Sequence, residues 1–167
     1  MSVTADLKIE LSGIIRGVNA LGTPQMPFAI SDVASFVPGV GSGQANLLFS
    51  PAADRVIAAS ANDDLDLSGA LTGVFGVLLA FTAVRAIVIK AAAANINNLI
   101  IGGAPANGFL GPFGAAAHTI VLRPGEEFVI SNRNAGWPVV AGTGDILRIA
   151  NGGAGSSVSY QIAIIGS

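Results

Sequence analysis

Turn-forming residues divide most of this chain into short segments, and this spacing excludes a fold built from long helices. From Gly43 onward, short apolar runs alternate with clusters of Gly, Pro and Asn, for example at residues 123–125, 142–145 and 151–155. Strands separated by such turns at roughly 8–12-residue spacing are typical of an all-β sandwich or barrel. The sequence therefore predicts an all-β domain.

The apolar runs between these turns mark ten candidate strands. The run at 84–89 is almost continuously apolar, which favours a strand that is covered on both faces. The candidate strands are 45–50, 55–60, 64–67, 84–91, 99–102, 119–122, 127–131, 139–141, 145–150 and 157–165.

The N-terminal part has a different pattern. Apolar residues alternate with polar ones from Val3 to Leu11, which predicts a strand with one wet face. Residues 12–43 contain several Gly and Pro residues, and this composition favours an irregular arm with short strands near 28–30 and 35–37. We therefore divide the chain into an N-terminal strand and arm, 1–43, and a β-sandwich domain, 44–167.

Charge is scarce throughout the chain. Charged residues make up 11% of the sequence, against about 25% in a typical soluble domain, and residues 91–122 contain none. A surface with so little charge tends to associate, which predicts a homo-oligomer. The net charge of −2 argues against nucleic-acid binding, and the absence of cysteine excludes disulfides, zinc–thiolate sites and Cys nucleophiles.

Neither a secretory signal nor a membrane span is expected. The first residues lack a basic leader followed by an apolar block. The best membrane candidate is the uncharged stretch 67–84, but its glycines and hydroxyl residues dilute the apolar run that a spanning helix needs. A short helix beginning after Ser68 is the alternative for this stretch, and a loop or single turn fits its glycines better.

No set of residues has the spacing of a catalytic or metal site, so we expect no enzyme, no metal and no cofactor. His118 is the only histidine, and a strand-end or interface role suits it better than a triad. Asp63, Asp64 and Asp66 lack the spacing of a calcium loop, and a solvated sheet face explains them. The loop 39–44 has Gln44 where a dinucleotide fingerprint needs Gly, which favours a connector.

Turn-and-strand patterns lie at residues 45–50, 63–69, 91–95, 97–104, 109–113, 123–126 and 141–151. Together these segments resemble small virion structural proteins of tailed bacteriophages, of the capsid decoration (cement) type. The resemblance covers roughly residues 45–165.

The resemblance implies a β-sandwich of jelly-roll-like fold that binds across the major capsid protein shell and stabilises it. It implies synthesis in the bacterial host cytoplasm, a final location on the virion surface and a homo-oligomer, with a trimer favoured. It implies no catalytic residue. A tail-fibre or tail-spike accessory module that binds glycans, with Trp137 and Tyr160 as platforms, is the alternative function.

The candidate interface residues are Phe109, Leu110, Phe113 and Trp137. The first three lie in a stretch rich in Gly and Pro, which predicts a surface loop, and exposed apolar residues usually mark a contact site. The alternative is that this loop folds back and caps its own sandwich, with Trp137 sealing a sheet edge.

Overall fold

A computed structural model of the protein describes residues 2–18 and 20–167, and all its regular elements in these ranges are β-strands. The expectation of an all-β fold is therefore confirmed. The strands are β1 (Ala5–Arg16), β2 (Gln25–Pro38), β3 (Gln44–Ala45), β4 (Leu47–Phe49), β5 (Arg55–Ile57), β6 (Asn62–Asp66), β7 (Leu71–Thr72), β8 (Leu78–Leu79), β9 (Ala83–Ala91), β10 (Leu99–Gly102), β11 (Thr119–Leu122), β12 (Glu127–Ser131), β13 (Trp137–Pro138), β14 (Ile146–Asn151) and β15 (Val158–Gly166).

Two antiparallel sheets make up the body of the protein. One has the strand order β12-β9-β15-β4, with β5 also pairing β15 and β13 pairing β9. The other has the order β11-β10-β14-β6. The pairing is nested along the chain, because β4 and β5 pair with the last strand, β6 pairs with the strand before it, and the strands between them pair with one another.

The inner faces of the two sheets share one hydrophobic core. Ile87 and Ile89 of β9 and Leu99 and Ile101 of β10 have no exposed surface, and they belong to one cluster with Ile149 of β14. Alternate residues of a strand point to opposite faces, so each strand contributes every second residue to this core. The architecture is consistent with a β-sandwich.

Most of the candidate strands are found where turn chemistry placed them. The bounds of β10, β11 and β12 agree with the expected ones. The strand expected at 139–141 is wrong, because pairing with β9 occurs at Trp137–Pro138 instead. Residues 67–84 form β7, β8, turns and the beginning of β9, and among the described residues no helix is long and apolar enough to cross a membrane.

The expectation of an irregular N-terminal arm is wrong. β1 and β2 form a long antiparallel hairpin whose pairing runs without a break from Ala5↔Phe36 to Arg16↔Gln25. Pro27 lies inside β2 opposite Ile14. Both strands of such a ribbon are edge strands for most of their length, and edge strands tolerate a residue that lacks an N–H. The Gly and Pro content of this segment therefore did not prevent a regular strand.

Candidate functional site

The structure favours the second of the two alternatives for the loop that carries Phe109, Leu110 and Phe113, in which the loop folds back on its own sandwich. Phe109 and Phe113 are buried in the main core, and the Phe109 amide donates a hydrogen bond to the Ile146 carbonyl at 2.9 Å. Leu110, between them, is 42% exposed. Trp137 is half-buried and packs against the same core. Of the four candidate interface residues, only Leu110 and part of Trp137 are accessible to a partner.

Tyr160, one of the two proposed glycan platforms, is fully buried and unavailable to a ligand. Its hydroxyl donates to Asp63 Oδ2 at 2.8 Å, and Arg55 holds the same carboxylate with two bonds of 2.6 and 2.9 Å. Burial alone would raise the pKa of Asp63, but the hydrogen bonds from Arg55 and Tyr160 outweigh burial and hold that pKa below its usual range. Burial, with the bond to Asp63, raises the pKa of Tyr160. The three groups form a structural ion-pair network at the core edge.

The other acidic residues of this cluster are also engaged. Arg148 binds Asp64 with two hydrogen bonds of 2.7 Å, and these bonds lower the pKa of Asp64. Asp66 accepts bonds from the amide and hydroxyl of Ser68, each at 2.8 Å. Within residues 2–18 and 20–167, no three carboxylate or histidine side chains are grouped so that they could hold a metal ion.

The glycine-rich loop at 39–44 is a tight connection between β2 and β3. The Gly41 amide donates to Gln44 Oε1 at 2.9 Å, so the residue that breaks the dinucleotide fingerprint closes the turn. The buried side chain of Arg85 donates from Nη2 to the Val40 carbonyl at 2.6 Å and from Nη1 to the Asn134 carbonyl at 2.9 Å. These bonds fasten the end of the hairpin to the body.

A contiguous group of exposed large apolar residues lies on the hairpin. Cross-strand partners share a face, as do residues two apart in a strand, so the pairing of β1 with β2 assigns every side chain to one of two faces. One face, here called the apolar face, carries Ile9, Leu11, Ile15, Met26, Phe28 and Ile30, all of them exposed. Its single charged residue is Asp32, which lies opposite Ile9.

The opposite face, here called the polar face, carries most of the charge of the hairpin. Ile14, Pro27, Ala29 and Val33 are its apolar members, and the remaining positions are charged or polar. Those positions are Asp6, Lys8, Glu10, Ser12, Arg16, Gln25, Ser31 and Ser35. The ribbon is therefore amphipathic along its whole length.

The root of the hairpin shows what the apolar face does when it is covered. Phe36 and Ala34 lie on this face at the root, and both are buried against Ala86 of β9 in a second, smaller core. Ile165 and Leu48 also contact this core, so the root packs on the outer side of the β9–β15–β4 sheet. Beyond the root the same face has no cover.

The middle of the apolar face is shaped by a glycine. Gly13 lies opposite Phe28, and a Cβ at Gly13 would come within 2.9 Å of two Phe28 ring carbons. The ring therefore lies across the glycine, an arrangement that compensates a strand for the missing side chain. This packing keeps an aromatic ring flat on the face between Leu11 and Ile15.

A long two-stranded ribbon with an exposed apolar face gains stability from a further contact. β1 has 12 residues, which at 3.4 Å per residue gives a length of about 40 Å. An isolated two-stranded hairpin is marginally stable in water, and a contiguous exposed apolar surface marks an interaction site. The geometry favours a docking surface that removes apolar area from water.

Sequence reasoning identified half of this surface. The alternation from Val3 to Leu11 predicted β1, but the matching alternation of Met26, Phe28 and Ile30 with smaller or polar residues was assigned to an irregular arm. That alternation is the signal that identifies β2. None of the known protein families, characterised proteins and solved structures compared with this chain matches it.

Proposed function

We propose that this chain is a non-enzymatic structural protein of a bacteriophage virion, a capsid decoration protein that binds the major capsid protein shell and stabilises it. The observation that carries the proposal is an amphipathic hairpin about 40 Å long rooted on a compact all-β body, with its apolar face open. Such an arm extends the reach of a small subunit across its neighbours. Synthesis in the bacterial cytoplasm and a place on the capsid surface belong to the same proposal.

The strand pairing supports a jelly-roll assignment within the β-sandwich class. In a jelly roll, eight strands form two four-stranded sheets by way of two Greek keys. The two sheets of the body are paired in a nested order that has this form. The early strand β4 pairs with the last strand, β15, in one sheet, and β6 pairs with β14 in the other. Jelly rolls occur among viral capsid and lectin domains, which is compatible with a shell role.

The apolar face can supply the energy that docking needs. Each of its six apolar side chains is roughly half exposed, and full burial of such a residue contributes about 1.5–3 kcal/mol. Covering the face therefore contributes on the order of 6 kcal/mol, which offsets part of the entropy lost on association. A shell that repeats this contact at every position gains stability from many copies.

Copy number tests the proposal. We would measure the ratio of this chain to the major capsid protein by quantitative mass spectrometry, in purified particles of the phage that encodes it. A decoration protein is expected at hundreds of copies per particle. A few copies would instead support the tail-fibre or tail-spike alternative, and its absence from particles would overturn a virion role.

The stabilising role has a separate test. Particles assembled without this chain should release their DNA at a lower temperature than complete particles, and adding the purified protein should restore the original temperature. Equal release temperatures with and without the protein would contradict the cement role even if the copy number is high.

A further inference from the structure

We propose that the apolar face of the hairpin is covered by the same face of another copy of this chain, so that arms from neighbouring copies pack together. The inference concerns the purified protein and does not depend on a capsid being present. It goes beyond the docking role by naming what covers the face before the chain meets a shell, and docking through that face would require this contact between copies to be exchanged for one with the shell.

The area of the face is in the range that a specific interface needs. Its six apolar side chains are between 40% and 68% exposed, which leaves on the order of 600 Å² open on each copy. Two such faces in contact would bury about 1,200 Å², the lower limit for stable protein–protein interfaces.

The chemistry of the face selects an apolar partner. From the pair Leu11↔Ile30 outward to Ile15↔Met26 the face contains no charged or polar side chain. A charged or polar surface placed against it would lose water without gaining hydrogen bonds. The partner must therefore present an apolar strip of similar length, about 17 Å for the five residues from Leu11 to Ile15.

Within the described residues, the face itself is the best match to that requirement. Another group of exposed large apolar residues lies in and beside the turn between β7 and β8 and consists of Val74, Phe75, Val77 and Leu78. That turn is too short to cover a ribbon of this length. A second copy supplies a face of equal length, equal composition and equal twist.

The root shows that this face packs well against an apolar surface. Leu7 and Ala34 lie on the same face as Leu11 and Ile30, and they contact the second core. The contact between copies would continue this packing outward along the ribbon. A shared core between arms would also hold β1 and β2 together where the body no longer does.

The test compares two neighbouring positions that lie on opposite faces of the hairpin. Leu11→Asp adds a carboxylate to the apolar face, and Ser12→Asp adds one to the polar face. Light scattering at micromolar concentration should give the wild type and Ser12→Asp a mass of two or three times 16.6 kDa, and Leu11→Asp a mass of 16.6 kDa. Circular dichroism should show the same β spectrum for all three.

A wild type that is monomeric at these concentrations would overturn the inference. So would a Leu11→Asp protein that keeps the mass of the wild type. A mass of two copies would support the arm contact and contradict the trimer favoured by the resemblance. The contact between arms and the trimer are therefore tested separately, and the mass measurement does not depend on the copy number of the protein in particles.

Cross-linking covers the case in which Leu11→Asp fails to fold. The chain contains no cysteine, so Leu11→Cys and Ser12→Cys each provide a single reporter. Mild oxidation should join two copies of Leu11→Cys through a disulfide and leave Ser12→Cys as single chains on a non-reducing gel. Cross-linking at Ser12→Cys that equals or exceeds cross-linking at Leu11→Cys would contradict packing through the apolar face.

Discussion

Phe109 and Leu110 are neighbours in the chain with opposite environments, and replacing each by alanine tests whether their loop belongs to the body. Phe109 is 2% exposed and packs in the main core, whereas Leu110 is 42% exposed. If the loop caps the sandwich, Phe109→Ala should be costly and Leu110→Ala mild. If the loop were an interface with a partner, both variants would leave the stability of the chain almost unchanged.

The magnitudes are large enough to separate these outcomes. Replacing a buried Phe by Ala costs about 3–5 kcal/mol, because it removes buried area and leaves a cavity. For Leu110→Ala we expect about 1 kcal/mol or less, since much of that side chain remains in water. A domain of this size is stable by roughly 5–15 kcal/mol, so Phe109→Ala should remove a substantial part of its stability.

Urea unfolding followed by tryptophan fluorescence measures both values. Trp137 is the only tryptophan, and it approaches this loop at Gly111. With a urea m-value of about 2 kcal/mol per molar, Phe109→Ala should lower the midpoint by roughly 2 M and Leu110→Ala by less than about 0.5 M. Protein concentration is kept constant, because association would add to the apparent stability.

Equal midpoint shifts for the two variants would refute the assignment of Phe109 to the core. A Phe109→Ala protein with wild-type stability but a smaller mass in light scattering would refute it more strongly, since that result is expected of an interface residue. The opposite pattern, with lower stability and unchanged mass, would confirm that the loop closes the sandwich.

Three further predictions concern residues of the core and its edge. Because the pKa of Asp63 is lowered in the folded protein, its contribution to stability is present above about pH 4 and is lost as the pH falls through the lowered value. Urea unfolding from pH 7 to pH 2.5 should therefore show that the difference in unfolding free energy between wild type and Asp63→Asn becomes smaller on acidification. A difference that stays constant over this range would contradict the prediction. Tyr160→Phe should cost about 1 kcal/mol at pH 7, for the lost hydroxyl bond. Gly111→Ala should lower stability by about 1–3 kcal/mol and shift the emission of Trp137, because the new methyl group would overlap that side chain, whereas Gly69→Ala, with no atom within 4 Å, serves as a neutral control.

Most of the longer strands of the body could be predicted because local chemistry determines them. β11 and β12 are separated by the turn at 123–125, where Gly125 has a φ of 83° that suits glycine. The turn is also closed by a bond from the Arg123 amide to Glu126 Oε2 at 2.8 Å. Residues that determine such a turn are neighbours in sequence, so the pattern is readable without tertiary information.

The interface residues could not be predicted in the same way. Gly and Pro around Phe109 and Phe113 correctly indicate an irregular loop, and loops normally lie on the surface. Whether an apolar side chain of that loop points inward depends on β14, which supplies the Ile146 carbonyl from a distant part of the chain. Burial here is a tertiary property, and composition alone left both alternatives open.

Scarcity of charge and exposure of apolar surface prove to be separate properties of this chain. The uncharged stretch 91–122 supplies β10, β11 and the capping loop, and half of its ten large apolar residues are buried in the core of the body. The hairpin carries Asp6, Lys8, Glu10 and Arg16, yet it exposes the longest apolar strip among the described residues, because charge and apolar groups alternate onto opposite faces. The sequence signal for the proposed interaction surface is therefore the period-two alternation of a ribbon that no second sheet covers. Uncharged segments of this chain identify parts of the core, whereas alternating strands that no second sheet covers identify the hairpin of β1 and β2.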